Sequence, residues 1–215
     1  MISMFIIDFD DTLFETEKYK IARMEALRSI GISEADFWET YQQARNDDNG
    51  LFAYSDERHA QMLARRGYDE VRILEFLQAS TQGAVAFLDT EAHQFLQDLQ
   101  SYHEPLVLLS LGDPATQGLK VKAAGIAHYF ERLFLVEENK QAAVQELLDH
   151  VVPEKTVWLI NDKPQETAEL AKAFPRLKAV AKMSPRFTAH DYEVAGVPWF
   201  QTLSEISQYV RTYSK

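Results

Sequence analysis

Apolar and polar positions follow two periods along this chain. Short apolar runs at Met4–Ile7, Leu106–Leu109, Leu133–Val136, Val157–Ile160 and Leu177–Ala181 predict strands covered on both faces. Between them, apolar residues recur at spacings of three and four, the period of a helix with one buried face. Ile21, Met24 and Leu27 predict a helix ending at Gly31. Ser33 with Asp36 forms a capping-box start for a second, carried on by Phe37, Tyr41 and Ala44 and broken across 46–50. Ser55, Asp56 and Glu57 open a third that ends near Gly67. Val71, Leu74 and Leu77 mark a fourth, fading at 80–83. Further helices are predicted from Thr90 with Phe95, Leu96 and Leu99, over 115–124, 140–150 and 165–173, and over 203–210 at the end.

From Leu106 onward strands and helices alternate, which predicts a parallel sheet with right-handed crossovers. The first strand is separated from the second by more than ninety residues, far beyond what one crossover helix needs. Something helical is inserted there. The expected fold is therefore α/β: a Rossmann-like parallel sheet core flanked by helices, formed by residues 1–14 and 87–215, with an all-helical cap over 15–86. Its hinges are expected near 14–16 and 83–88. In such sheets ligands sit beyond the carboxyl ends of the strands. That is where Asp8 and Asp10 fall, and like charges so close need a cation or an ammonium between them.

The run Asp8-Phe9-Asp10-Asp11-Thr12 after an apolar strand resembles the opening motif of the haloacid dehalogenase-like superfamily. Three later stretches follow that family's order. Ser110, with Leu111 and Gly112, closes the second strand. Lys140 begins the helix after the third. Asn161-Asp162-Lys163-Pro164-Gln165-Glu166 ends the fourth, with Asn161 where glycine is usual and Glu166 where aspartate is commoner.

The resemblance implies a Mg2+-dependent phosphohydrolase of small phosphomonoesters working through an aspartyl-phosphate. Asp8 would be the nucleophile. Asp10, free of the metal through its side chain, would hold a proton for the leaving group and later take one from water. Ser110, the backbone of Leu111 and Lys140 would hold the phosphoryl group. A side-chain oxygen of Asp8, the carbonyl of Asp10, and Asp162 would bind Mg2+, with Glu166 as a further ligand or holder of a metal-bound water. Thr12 would orient the loop by hydrogen bonding. If Asp8, Ser110 and Asp162 meet at one ion, the first strand must lie between the second and the fourth. The family's dehalogenases lack the second aspartate, so Asp10 weighs against carbon–halogen cleavage. A phosphomutase or phosphotransferase, and a ligand-binding protein on a decayed enzyme fold, stand as alternatives.

Other candidates read as structural. Lys120 and Lys122, before Ala123-Ala124-Gly125, are expected on a solvated helix face, and Trp158 in the core. Arg45, Tyr54, Arg58 and Phe14 fit either the cleft or the cap interior. The six histidines lack metal-ligand spacing.

Composition narrows the field. Hydrophobic residues make up 46% of the 215, with 13 Phe, enough for a sizeable core. With no cysteine, thiol chemistry and Cys-bound metals are excluded. A net charge of -11 without Lys/Arg clusters speaks against nucleic-acid partners. The first apolar stretch is too short for a signal peptide, and no apolar span reaches membrane length. The expected home is cytoplasmic, the expected partner a small phosphorylated metabolite.

Overall fold

The computed structural model describes residues 2–45, 54–152 and 154–213. Its centre is a six-stranded parallel sheet of β1 (Ile2–Ile7), β2 (Leu106–Leu111), β3 (Arg132–Val136), β4 (Thr156–Asn161), β5 (Leu177–Lys182) and β6 (Trp199–Phe200). The spatial order is β3-β2-β1-β4-β5-β6. The first strand thus sits between the second and the fourth, as the clustering of their polar ends requires.

Alternate residues of β1, β2 and β4 feed two separate cores. Phe5, Ile7, Leu106, Leu108, Trp158 and Ile160 face one way. They meet α5 (Ala92–Gln100), α6 (Pro114–Ala123) and α10 (Leu203–Tyr213) through Phe95, Leu96, Val121, Ile206 and Val210. Ile6, Val107, Leu109, Val157 and Leu159 face the other way. They pack on Val144, Leu147 and Leu148 of α7 (Gln141–Asp149) and Leu170 of α8 (Pro164–Ala173). Burial on both faces is why these strands carry unbroken apolar runs and no in-out alternation.

Between β1 and β2 lie α1 (Thr16–Arg28), α2 (Glu34–Arg45), α3 (Asp56–Ala64) and α4 (Glu70–Gln82). They pack round a third core of Met24, Leu27, Ile32, Phe37, Ala60, Leu63, Ile73 and Leu77. The starts of α2 and α3 follow the sequence signals. The Ser33 hydroxyl accepts from the Asp36 N–H at 3.0 Å, and Ser55 accepts from the Arg58 N–H at 3.1 Å. The expected break over 46–50 lies outside the described residues. Departure and return of this segment are tied together: the Glu15 N–H donates to Phe87 O at 2.8 Å and the Asp89 N–H to Leu13 O at 2.9 Å.

Some elements escape the periodicity. Strand β6 has two residues, and α9 (Ala189–Ala195) has seven, too few to establish a period. Helix α9 is instead fixed by its ends: Asp191 accepts from the Thr188 N–H at 2.6 Å, and Gly196 takes φ 68° beyond it. Two short 3-10 turns, Ala84–Phe87 and Ala127–Tyr129, are likewise absent from the apolar pattern. Among the described residues no helix is long and apolar enough to cross a membrane.

Candidate active site

The carboxyl ends of β1, β2 and β4 deliver the candidate residues to one place. The Asp8 N–H continues the ladder to Ile160 O at 2.9 Å, so the backbone of Asp8 lies next to that leading into Asp162. After Phe9 the chain turns back on itself. The N–H groups of Leu13 and Phe14 both donate to Phe9 O, at 2.9 and 3.1 Å, and Asp11 takes φ 57°, a left-handed conformation that Asp tolerates better than most residues.

Asp8 is buried and held from both sides. Lys140 donates to its Oδ1 at 2.6 Å, and the Thr12 hydroxyl donates to Oδ2 at 3.1 Å. Lys140 reaches the site from just ahead of α7 and also donates to Asn161 Oδ1 at 2.9 Å, with Glu166 3.0 Å away. Burial alone would drive the lysine towards neutrality. Asp8 and Glu166 outweigh it and raise the ammonium's pKa. Burial likewise pushes the Asp8 carboxyl up, against the pull of Lys140.

Asp162 is the exception in this polar cluster. Its residue is fully buried, and neither carboxylate oxygen has a hydrogen-bond partner. Burial, with Asp8 adding to it, pushes its pKa up to about 8. A buried carboxylate left bare is costly, and native structures pair nearly all such groups. Two neighbouring carboxylates, one unsatisfied, fit a divalent cation. Among the described residues no three Asp, Glu, His or Cys side chains converge as a metal cage. The Asp8 and Asp162 carboxylates would hold such an ion, with water completing the shell, as Mg2+ prefers.

Asp10 differs from its sequence expectation. Its side chain accepts from Lys120 at 2.6 Å and the Thr16 hydroxyl at 2.6 Å on Oδ1, and from Gln117 at 2.6 Å on Oδ2. Burial opposes ionisation, but Lys120, Thr16 and Gln117 prevail and hold this carboxyl well below the usual range. It is a carboxylate, where the sequence reading had it hold a proton. Lys120 is correspondingly no solvated-face residue. It is buried on the inner face of α6, while Lys122 is exposed as expected. Asp11, next in the chain, is pushed up to about 6 by burial and the Asp10 charge, with Arg186 3.9 Å from its Oδ2.

Ser110 is buried at the end of β2, its hydroxyl 3.0 Å from Gln117 Nε2, and Leu111 and Gly112 line the cleft. Glu166 faces inward to Lys140 and Asn161, with Lys163 3.6 Å away. Asn161, the departure from the resembled motif, has a defined task. Its Oδ1 accepts from Lys140, while its Nδ2 donates to Glu166 and Thr167, both at 3.0 Å. A glycine could do neither. Tyr192 adds a brace that the sequence did not signal, donating to the Asp162 carbonyl at 2.8 Å.

The helices α1–α4 form the opposite wall. Tyr19, Lys20, Arg23, Tyr41, Arg45, Tyr54 and Thr81 line the cleft facing Asp8 and Asp10. Of the four undecided residues, Arg45 and Tyr54 thus reach it, Phe14 is core, and Arg58 is half-buried on α3 and not part of the cleft lining. Arg23 is buried. Its guanidinium binds Asp56, the hydroxyls of Tyr19 and Tyr54 at 2.6 and 2.8 Å, and Thr81 at 3.0 Å. Lys20, Arg23, Arg45, Lys120, Lys163 and Arg186 line the cleft against Asp8, Asp10 and Asp113. The protein is strongly acidic, yet its cleft is cationic.

No protein-family model and no curated protein matches the sequence. Solved structures do match its backbone. A protein assigned as a haloacid dehalogenase-like hydrolase from Burkholderia xenovorans LB400 superposes with a TM-score of 0.76 at 19% identity, covering 100% of this chain and 99% of that one. The magnesium-bound HAD-hydrolase YfnB of Bacillus subtilis gives 0.65 at 14% identity, over 97% and 98%. The L-2-haloacid dehalogenase of Xanthobacter autotrophicus with chloropropionic acid covalently bound gives 0.64 at 19% identity, over 99% and 100%. Identities this low speak to the course of the backbone, and by that course the chain has the haloacid dehalogenase-like hydrolase fold.

Proposed function

We propose that this chain is a Mg2+-dependent phosphohydrolase of small phosphomonoesters, working through an aspartyl-phosphate on Asp8. The observation that carries the reading is Asp162: a buried carboxylate without a partner beside a second carboxylate is a place made for a cation. The magnesium-bound neighbour is consistent with that ion.

Asp8, ionised and oriented by Lys140 and Thr12, attacks phosphorus. The bond to the ester oxygen breaks, and its electron pair leaves with the alcohol oxygen. Splitting one displacement into two lowers each barrier. Asp8, Asp162 and the Asp10 carbonyl would hold Mg2+, which when bound would supply positive charge to the phosphoryl oxygens. Lys140 adds its ammonium to the same end, and Asn161 and Glu166 fix where that ammonium stands. Ser110 and the Leu111 backbone contribute hydrogen-bonding groups for the phosphoryl oxygens. Water then attacks the aspartyl-phosphate, the bond to Asp8 breaks, and Asp10 takes the water's proton. The departing alkoxide takes its proton from solvent, and Asp10 returns to solvent the proton it took, so the cycle balances and Asp10 is a carboxylate again. The helices over 15–86 act as a lid that excludes water and selects the leaving group. The cationic cleft suits an anionic ester.

Carbon–halogen cleavage is the second reading, favoured by the dehalogenases among the structural neighbours. There Asp8 would displace halide from a 2-haloacid, with no need for a metal or for Asp10. Bare Asp162 and the elaborate hold on Asp10 argue for phosphorus. The deciding experiment offers phosphomonoesters and 2-haloacids to the wild type and to Asp8→Asn, with Mg2+ and with a chelator. Phosphate release that needs both Asp8 and Mg2+ supports the proposal. Halide release that ignores the chelator overturns it. An isomerised phosphosugar without free phosphate would indicate transfer to a second hydroxyl, and silence on every substrate a binding protein.

A further inference from the structure

Helix α6 carries two residues that the hydrolytic scheme does not use, yet both end on Asp10. We infer that Gln117 and Lys120 are positioning residues that aim the Asp10 carboxylate at the water of the second half-reaction; the inference rests on the phosphohydrolase reading above.

The two side chains are three residues apart, hence on one face of the helix. They take one carboxylate oxygen each, Gln117 on Oδ2 and Lys120 on Oδ1. The Gln117 amide nitrogen also stands 3.0 Å from the Ser110 hydroxyl and 3.1 Å from Leu111 O. One side chain thus ties the loop after β1 to the end of β2. Lys120 is confined in another way. Its ammonium lies over the rings of Phe9 and Phe14, 5.2 and 5.4 Å from their centroids, so it cannot swing from Asp10 without leaving both.

The helix itself is set for this. Asp113 caps it, accepting from the Thr116 N–H at 2.7 Å. Gly112 takes φ +153°, and a Cβ there would come within 2.9 Å of Gln117 Cγ. Glycine at 112 leaves the room in which Gln117 lies across the site.

A carboxylate offers about four acceptor positions. Lys120, Thr16 and Gln117 fill three, so about one remains for a water in the cleft. Asp10 therefore has a single orientation and a single open lone pair. In the step this serves, the water oxygen bonds to phosphorus. The bond from phosphorus to the Asp8 oxygen breaks and returns its electron pair to Asp8, and the water's proton passes to Asp10. Formation of the aspartyl-phosphate from an ester with a good leaving group makes no such demand on Asp10.

The test separates the two halves with p-nitrophenyl phosphate and Mg2+ in rapid-mixing experiments on the wild type, Lys120→Met, Gln117→Leu and Lys120→Arg. The loss of a well-placed base costs about 100-fold or more. The expected result is a burst of p-nitrophenol close to one per enzyme in Lys120→Met and Gln117→Leu, larger than in the wild type. Turnover after the burst should be about 100-fold slower, with the phosphorylated chain visible by intact mass. Lys120→Arg should recover part of the rate. Equal slowing of both halves, unchanged turnover, or a lowered melting temperature without phosphoenzyme build-up would overturn the inference while leaving the hydrolase reading intact. A wild type that releases no p-nitrophenol from this ester or phosphate from any other overturns both.

Discussion

Lys140 has three ammonium hydrogens and three oxygens around it, those of Asp8, Asn161 and Glu166. Its side chain is only 1% exposed, so replacement strands two carboxylates in a space that water barely enters. Lys140→Met should therefore abolish turnover and lower unfolding free energy by about 3–5 kcal/mol, the usual result of breaking a buried ion pair from one side, read by urea titration. Asp162→Asn should behave oppositely. It replaces an unpaired carboxyl that burial already drives towards the neutral form, so the metal-free protein should melt no lower than the wild type, while calorimetry should find Mg2+ binding lost. Asp8, Lys140 and Asp162 were legible in the sequence because each follows an apolar run and they occur in a fixed order. Gln117 and Lys120 were not. Lysine beside Ala123-Ala124-Gly125 fits a wet helix face as well as a dry one, and only the packing of α6 against Phe9 and Phe14 decides between them.

Helices α2 and α3 meet around His59, which is completely buried between the Thr40 hydroxyl at Nε2 and the Tyr54 hydroxyl at Nδ1, each 3.1 Å away. Burial first, and the Arg23 charge second, push its pKa down to about 3. The unfolded chain takes up this proton near 6.5, the folded one only near 3. Between those values the unfolded state binds more protons, so stability falls as pH falls. The slope from this one group approaches about 1.4 kcal/mol per pH unit. Thermal melts from pH 7 to pH 4 should show the decline, and His59→Phe should flatten it. These helices were legible from the sequence because each joins an apolar face to a Ser or Asp start. Helix α9 and β6 lacked the length for a period, although Thr188, Asp191 and Gly196 spelled the ends of one.

The whole molecule sets a charge of -11 against a cleft lined by six cations and three carboxylates. The acidic exterior repels anions at long range, and the cleft admits them at short range, with salt screening the first more than the second. Adding Mg2+ should raise the melting temperature of the wild type, with about 2.7 kcal/mol gained at a hundredfold excess over the dissociation constant. Asp162→Asn should show no such rise. The overall topology was readable because a gap of more than ninety residues between neighbouring strands has few solutions, and helical spacing within that gap left one. How the four helices lean over the sheet was not readable, since it depends on contacts between residues far apart in the chain.

The paired hydrogen bonds joining Leu13 and Glu15 to Asp89 and Phe87 put the two ends of this insert side by side. A foreign helical module could therefore be spliced in at these two points without stretching any strand. Such a chimera would take the wall facing the cleft from the donor and the Asp8 cluster from the recipient, so substrate choice and bond chemistry are free to evolve apart.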